Sequence, residues 1–187
     1  MIRIQLMTPE EITAYLEADD RLVTRHTRDY SFFSRGISFF TDCPESSHEE
    51  VAIDGNTVLG VQICPGRNFR TGVDYRDWHY AKWRSLLLVK YDVPRAKIIQ
   101  VIDGCLGDKF DYMWVFAVFA LQNHSYAASK GWDCSGLIEL ASVAAGTPLM
   151  DHTIVEPVCI TPRDHLMPHV DILDAVWVLP PPHLRTP

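Results

Sequence analysis

The sequence predicts a single domain of the α+β class over residues 1–187. Its hydrophobic fraction of 47% and charged fraction of 22% are those of an ordinary globular protein. Strand-like segments joined by a tight turn occupy the first half, and a strongly patterned helix begins at Cys134 in the second. No linker separates two domains, and the net charge of −7 argues against nonspecific binding to nucleic acid.

A helix is predicted over about residues 8–19. Thr8 is a suitable N-cap, Pro9 fits the first helical position and Glu11 completes a capping box. A basic stretch follows, and because such runs usually form solvated faces, we expect its side chains to be exposed; they are Arg21, Arg25, His26 and Arg28. The short aromatic segment GISFF, residues 36–40, is predicted to be a strand.

A β-hairpin is predicted between residues 48 and 63. His48–Ile53 has the composition of a strand, Asp54–Thr57 (DGNT) is a hairpin turn, and Val58–Ile63 is the returning strand. The remaining predicted elements are strands at Ser85–Val89 and Asp174–Leu179, helices at Pro94–Leu106, Tyr112–Leu121 and Cys134–Ala145, and a proline-rich tail from Pro180.

The sequence predicts neither a membrane-spanning helix nor a metal site. The longest apolar run, Met113–Leu121, has nine residues, whereas a membrane helix needs about 20, so we expect no stable membrane insertion. No secretory signal is visible, which predicts synthesis in the cytoplasm. The five cysteines include no C-x-x-C pair, so we expect neither a disulfide framework nor a zinc site, and no cofactor.

Cys134 is the strongest candidate nucleophile. It opens a predicted helix behind the suitable cap Asp133, and the free N–H groups and positive dipole end of such a helix stabilise a thiolate. The alternative is a buried structural cysteine. A thiolate nucleophile also needs a base, and the candidates are His48, on a rigid predicted strand, and His124, nearer in sequence. The other histidines lie in weaker contexts, and Pro168 opposes a metal-binding helix at His165 and His169.

The segment WDCSGLIELASVAAG, residues 132–146, resembles the nucleophile motif of NlpC-type cysteine peptidases, in which D-C-S-G-L opens the catalytic helix. GISFF and SHEEVAI (residues 36–40 and 47–53) resemble the strand and histidine that follow the cysteine in the usual order, and here precede it. GDKFDYMW, residues 107–114, is similar to the segment upstream of the family's cysteine. This order matches the circularly permuted branch, which also contains lecithin-retinol-acyltransferase-like enzymes.

The resemblance implies a permuted papain-like fold, with a small antiparallel sheet packed against the helix that carries the nucleophile. Cys134 would be the nucleophile and His48 the general base. Gln62 is the preferred third residue and Glu50 the alternative, while oxyanion or substrate binding falls to the Cys134 amide, Tyr112 and Ser135. The family's usual aspartate and tyrosine are replaced here by Ile37 and Phe110.

The expected function is that of a thiol hydrolase acting on an amide or ester bond. The implied substrates are a peptidoglycan stem peptide, another peptide or an acyl lipid. Without a signal peptide, a cell-wall target would be reached by delivery as a phage or toxin component. The alternative is a non-catalytic papain-like domain used for binding or as a structural part of a phage or other particle. The oligomeric state is open.

Overall fold

The computed structural model describes residues 3–30, 34–37, 46–62, 71–111, 131–150, 160–166 and 172–179. These residues form an α+β architecture built on a seven-stranded mixed sheet. The elements in chain order are β1 (Arg3–Ile4), α1 (Pro9–Glu17), β2 (Arg21–Asp29), β3 (His48–Asp54), β4 (Thr57–Gln62), β5 (Gly72–Asp77), β6 (Trp83–Pro94), α2 (Arg95–Asp103), α3 (Cys134–Ala144) and β7 (Ile172–Leu179).

The strand order is β1-β7-β6-β2-β3-β4-β5. The short β1 pairs parallel with β7, and every other neighbouring pair is antiparallel. The sheet is therefore larger than the small antiparallel sheet that the sequence predicted, and it is mixed. The difference arises in part because β2 lacks the alternation of apolar and polar residues by which a half-buried strand is recognised, whereas β5 alternates only over the four residues 73–76.

The sheet separates two hydrophobic clusters, because neighbouring residues on a strand point to opposite faces. Val51 belongs to the cluster that contains the buried residues of α2 and α3. Ala52, the next residue, belongs to the cluster that contains Ile12 and Leu16 of α1. Helix α1 thus covers one face of the sheet, and α2 and α3 cover the other.

Several predicted elements are confirmed where the local signals were strong. Thr8 and Glu11 form the capping box of α1, with Thr8 N donating to Glu11 Oε2 at 2.7 Å and Glu11 N to Thr8 Oγ1 at 3.3 Å. The hairpin of β3 and β4 turns at Gly55, where a Cβ would lie 1.8 Å from the carbonyl oxygen of Pro9, so only glycine lets the turn pack on α1. The helices at α2 and α3 and the late strand β7 are also present.

Two predictions were wrong. The basic stretch after α1 is strand β2, and Arg25 and His26 are completely buried, since each finds acidic or polar partners on neighbouring strands. Residues 34–37 form a helical turn, so the strand predicted at 36–40 does not begin at Gly36. Ser34 holds this turn against the end of β2, where its Oγ accepts a hydrogen bond from Asp29 N at 3.2 Å.

The predicted helix at Tyr112–Leu121 and the tail from Pro180 lie outside the described residues. Within the part of the chain that is described, none of the helices combines the length and apolar character needed to cross a lipid bilayer.

Candidate active site

The N-terminus of α3 is built by the D-C-S-G sequence itself. Asp133 is the N-cap, and its Oδ1 accepts a hydrogen bond from Gly136 N at 2.9 Å. A Cβ at Gly136 would lie 2.4 Å from Asp133 Oδ2, so this position needs glycine for the cap to form. Cys134 is the first helical residue and is partly exposed. The cap therefore fixes the thiol at the positive end of the helix.

Asp133 and Ser135 flank the thiol as buried groups. Burial raises the pKa of Asp133 to about 7. Hydrogen bonds from the backbone N–H groups of Gly136 and Ser135 favour the ionised form, but their effect on the pKa is smaller than that of burial. Ser135 is completely buried, and its Oγ lies 3.9 Å from Cys134 Sγ. The predicted site residue Ser135 is thus next to the thiol but enclosed by the fold.

His48, the first residue of β3, lies beside Cys134 although 86 positions separate them in sequence. Burial is the largest single influence and would lower the pKa of His48. The Glu50 carboxylate and the Cys134 side chain together outweigh it through hydrogen bonding and charge attraction, so the pKa is raised to about 9. This interaction brings together the two residues that the sequence predicted as nucleophile and base.

Glu50 lies two residues along β3, on the same face as His48. His48 Nε2 is 3.4 Å from Glu50 Oε1, an ion-pair distance, and neither atom has a hydrogen-bond partner among the described residues. Both side chains are mostly or completely buried, with 11% of the His48 side chain and none of Glu50 exposed. The carboxylate can therefore orient the imidazole, since it faces the ring nitrogen directly.

Arg25 on β2 neutralises Glu50. The two residues are paired in the β2–β3 register, and Arg25 Nη2 donates to Glu50 Oε2 in a completely buried ion pair. Burial alone would raise the pKa of Glu50, but attraction to Arg25 and His48 holds it well below its usual range. The ion pair therefore favours the ionised form of Glu50 beside the imidazole.

The Arg25 guanidinium is itself held by an aromatic enclosure. Its Cζ lies 4.7–5.5 Å from the ring centroids of three residues, namely Trp78, Tyr80 and Trp83. Its Nη1 donates to the Trp78 carbonyl oxygen at 2.6 Å. These contacts suit a planar guanidinium, which stacks on aromatic faces as it binds a carboxylate.

Gln62, the preferred third residue of the sequence analysis, is connected to Glu50 through Tyr80. Gln62 Nε2 donates to Tyr80 Oη at 3.2 Å, and Tyr80 Oη donates to Glu50 Oε2 at 3.2 Å. Gly60 on β4 makes room for this arrangement, because a Cβ there would lie 2.9 Å from Glu50 Cγ. Between the two candidates, Glu50 is the one whose carboxylate faces His48.

A second group of buried ionisable side chains lies on the other face of β3, and we call it the Glu49–His165 network. His165 Nδ1 lies 2.6 Å from Glu49 Oε2, and His165 Nε2 lies 3.4 Å from Glu139 Oε2 on α3. His26 Nε2 lies 3.3 Å from Glu49 Oε1. All four side chains are completely buried.

Sequence reasoning missed Arg25, Tyr80 and this network. The sequence predicts an irregular C-terminal region around His165, whereas the structure buries this residue completely in a short 3₁₀ turn, Asp164–Leu166. One signal could have found part of the arrangement. The acidic pair at Glu49 and Glu50 follows a basic pair at Arg25 and His26, and adjacent antiparallel strands would bring such pairs together.

The segment upstream of Cys134 approaches the same end of α3. Phe110 and Trp132 form an isolated parallel bridge, in which Asp111 N donates to the Trp132 carbonyl oxygen at 3.0 Å. This contact brings residues 107–111 close to the N-terminus of α3. Tyr112 and the alternative base His124 lie outside the described residues.

Among the described residues, no group of three or more His, Cys, Asp or Glu side chains has an arrangement that could hold a metal ion. In the Glu49–His165 network the imidazoles and carboxylates bind one another instead. No protein-family model matches the chain, and no curated protein matches it.

Proposed function

We propose that the protein is a thiol hydrolase that cleaves an amide or ester bond, with Cys134 as nucleophile and His48 as general base. The observation that carries this proposal is the contact between a partly exposed helix-terminal thiol and an imidazole whose other side faces a buried carboxylate. A nucleophile, a base and an orienting group in this order form the arrangement on which cysteine hydrolases depend.

The reaction proceeds by acyl transfer. His48 is the proposed acceptor of the thiol proton, and Glu50, which faces its Nε2, stabilises the imidazolium that forms. The Cys134 thiolate attacks the substrate carbonyl carbon, the imidazolium returns the proton to the departing amine or alcohol, and a thioester remains. His48 then removes a proton from water, which attacks the thioester and releases the carboxylic acid with the free thiol.

The oxyanion formed in each step lies at the N-terminus of α3. The backbone N–H of Cys134 is the proposed donor there, and the helix dipole adds to the stabilisation. Tyr112 is the second proposed donor, as the family resemblance implies. Chemistry of this kind uses no metal or organic cofactor.

Glu50, rather than Gln62, is the proposed third residue. It faces His48 Nε2, and its charge raises the pKa of the imidazole, whereas Gln62 is linked to Glu50 through Tyr80. A carboxylate in this place holds the ring orientation and stabilises the imidazolium that forms during catalysis. Arg25 and Tyr80 would act as positioning residues for Glu50.

The proposed substrates are acyl compounds with a peptide-like or ester carbonyl. The first class is a peptide or a peptidoglycan stem peptide, and the second is an acyl lipid. The proposed scaffold is the permuted papain-like fold of the NlpC branch. Its support is the order of histidine and cysteine in the chain and the packing of the cysteine helix against the strand that carries the histidine.

Thiol alkylation tests the proposal without knowledge of the substrate. The rate of iodoacetamide modification is measured at each cysteine by mass spectrometry near pH 7, for the wild type, His48→Ala and the matched control His79→Ala, whose side chain is exposed. We expect Cys134 to react at least about tenfold faster than glutathione, since a paired thiolate is the reactive species. His48→Ala should abolish this excess, and His79→Ala should keep it.

Cys105 serves as the reference within the same molecule. Burial and the neighbouring Asp108 raise the pKa of the Cys105 thiol, so its slow reaction reports that the fold is intact. If Cys134 reacts no faster than glutathione in a folded protein, the hydrolase proposal fails and the non-catalytic binding domain becomes the better interpretation. If it reacts fast, hydrolysis of peptide, peptidoglycan and acyl-ester substrates by the wild type and Cys134→Ser then separates the substrate classes.

A further inference from the structure

The Glu49–His165 network joins the two elements that carry the proposed nucleophile and base. Glu49 is adjacent to His48 on β3, and Glu139 lies five residues after Cys134 on α3. His165 lies between the two carboxylates, with its Nδ1 2.6 Å from Glu49 and its Nε2 3.4 Å from Glu139. A path of two side-chain contacts therefore runs beside the contact between His48 and Cys134.

We propose that His165 is a positioning residue, whose buried imidazolium ties β3 to α3 through Glu49 and Glu139 and thereby fixes the separation of His48 and Cys134. This inference rests on the proposed function. It assigns a role to a histidine that touches neither the thiol nor its base.

The charge balance supports an imidazolium at this position. Burial opposes the charged ring, but the facing carboxylates of Glu49 and Glu139 outweigh it and raise the pKa of His165 to about 10. Burial likewise opposes ionisation of Glu49, and the two histidines nevertheless hold its pKa well below its usual range. Two buried carboxylates without a cation between them would repel each other and separate β3 from α3.

The other groups around His165 favour a fixed ring. Tyr91 on β6 donates from its Oη to the His165 carbonyl oxygen at 3.1 Å, and its ring meets the imidazole edge to face. Glu139 is fixed in turn, because its carboxylate accepts hydrogen bonds from Leu149 N and Met150 N at 3.2 Å each. Asp133, the cap of α3, is also close enough to His165 for the imidazolium to favour its ionised form. The network is therefore anchored on β3, β6, α3 and the chain after α3.

Small displacements between reacting groups have large kinetic consequences, and a misplacement of about 1 Å can cost roughly 100-fold in rate. The thiol alkylation rate of Cys134 responds to the same separation, because the imidazolium stabilises the thiolate only at close range. A change confined to His165 should therefore appear at Cys134, although the two side chains belong to different networks.

The test compares His165→Gln with Ile12→Ala. The second variant removes core packing on the opposite face of the sheet, away from the network, and serves as a control for loss of stability. Alkylation of Cys134 is measured from about pH 6 to pH 9, for each variant at a temperature about 15 °C below its own melting point. We expect His165→Gln to lower the alkylation rate of Cys134 by about tenfold or more near pH 7. The pH dependence of this rate should also move toward that of glutathione. Ile12→Ala should keep the wild-type profile.

A second variant keeps the proposal testable if His165→Gln does not fold. Glu139→Gln preserves the shape of the side chain and removes one of the two charges that face the imidazolium. We therefore expect it to lower the alkylation rate of Cys134 by a smaller factor than His165→Gln does. Where both fold, the double variant should show strong non-additivity, because each change breaks the same connection.

The outcomes separate this inference from the proposed function. If the wild-type Cys134 reacts no faster than glutathione, the proposed function fails. If the wild-type thiol is fast and both network variants, folded, retain its rate and pH profile, the positioning role is wrong and the network is a structural one only.

Discussion

At the residue scale, one buried carboxylate controls the ionisation of the proposed base. His48 is enclosed, and burial alone would favour its neutral form. The Glu50 carboxylate, 3.4 Å from Nε2, and the Cys134 side chain together reverse that preference, and Arg25 favours the ionised form of Glu50. The raised pKa of about 9 favours the imidazolium over the neutral ring, which is the form that the proposed acid step of the reaction uses.

Replacing Glu50 by glutamine should lower the pKa of His48. The carboxylate is the largest influence that raises this pKa, and without it burial dominates, so the wild-type value of about 9 should fall by at least about one pH unit. NMR titration of the histidine ring resonances measures the change directly. Gln62→Ala tests the competing third residue, and Glu17→Gln, an exposed glutamate on α1, controls for the loss of one charge.

Both comparison variants should leave the His48 titration near its wild-type position. If Gln62→Ala lowers the pKa of His48 as much as Glu50→Gln does, Gln62 is the orienting residue and the assignment of Glu50 is wrong. A His48 titration that Glu50→Gln leaves unchanged would also contradict the assignment.

At the element scale, the proposed catalytic residue and the core-packing residues of helix α3 occupy different positions along the helix. Cys134 lies at the N-terminus and is partly exposed, whereas Leu137, one turn later, is buried in the core cluster. Asp133 caps the helix, and Gly136 makes room for the cap. Replacing the proposed nucleophile, Cys134, by serine should therefore leave no large cavity, whereas truncating Leu137 should leave one.

Melting curves of two variants on this helix test that separation. Cys134→Ser replaces sulfur by oxygen at an accessible helix end and should change the free energy of unfolding by less than about 1 kcal/mol, while abolishing hydrolysis. Leu137→Ala should cost about 2–5 kcal/mol, because buried apolar surface is lost and a cavity remains. Equal destabilisation by the two substitutions would identify Cys134 as a packing residue and remove the main support for an enzyme.

Elements with a strong local signal were predictable from sequence, and elements stabilised by distant partners were not. The cap at Asp133 and the Gly55 turn are encoded within a few residues, and both are present. Strand β2 was taken for an exposed basic segment because its buried charges are compensated by residues more than 20 positions away, as Arg25 is by Glu50. The choice between Gln62 and Glu50 likewise depends on side-chain placement across three strands, which spacing alone does not determine.

At the scale of the whole molecule, buried ionisable groups make stability depend on pH in both directions. The pKa values of His48 and His165 are raised from 6.5 to about 9 and about 10, so their contribution is fully present below pH 6.5 and is lost as the pH rises through these values. The pKa values of Glu49 and Glu50 are lowered from 4.5, so their contribution is present above pH 4.5 and is lost on acidification. Asp133, raised from 3.8 to about 7, favours the folded state most at acidic pH, and this contribution is lost as the pH rises through 7.

These signs together predict a maximum of stability between about pH 4.5 and pH 6.5, with a long decline on the alkaline side. Thermal melts at intervals from about pH 3 to pH 10 would measure it. His165→Gln should have a lower melting temperature than the wild type at pH 6, since two buried carboxylates lose their cation, but a shallower decline between pH 6.5 and pH 10. Because the His48 contribution remains, the decline should become shallower without disappearing. An alkaline decline as steep in His165→Gln as in the wild type would mean that His165 is not charged in the folded protein, and the electrostatic connection between β3 and α3 would then be absent.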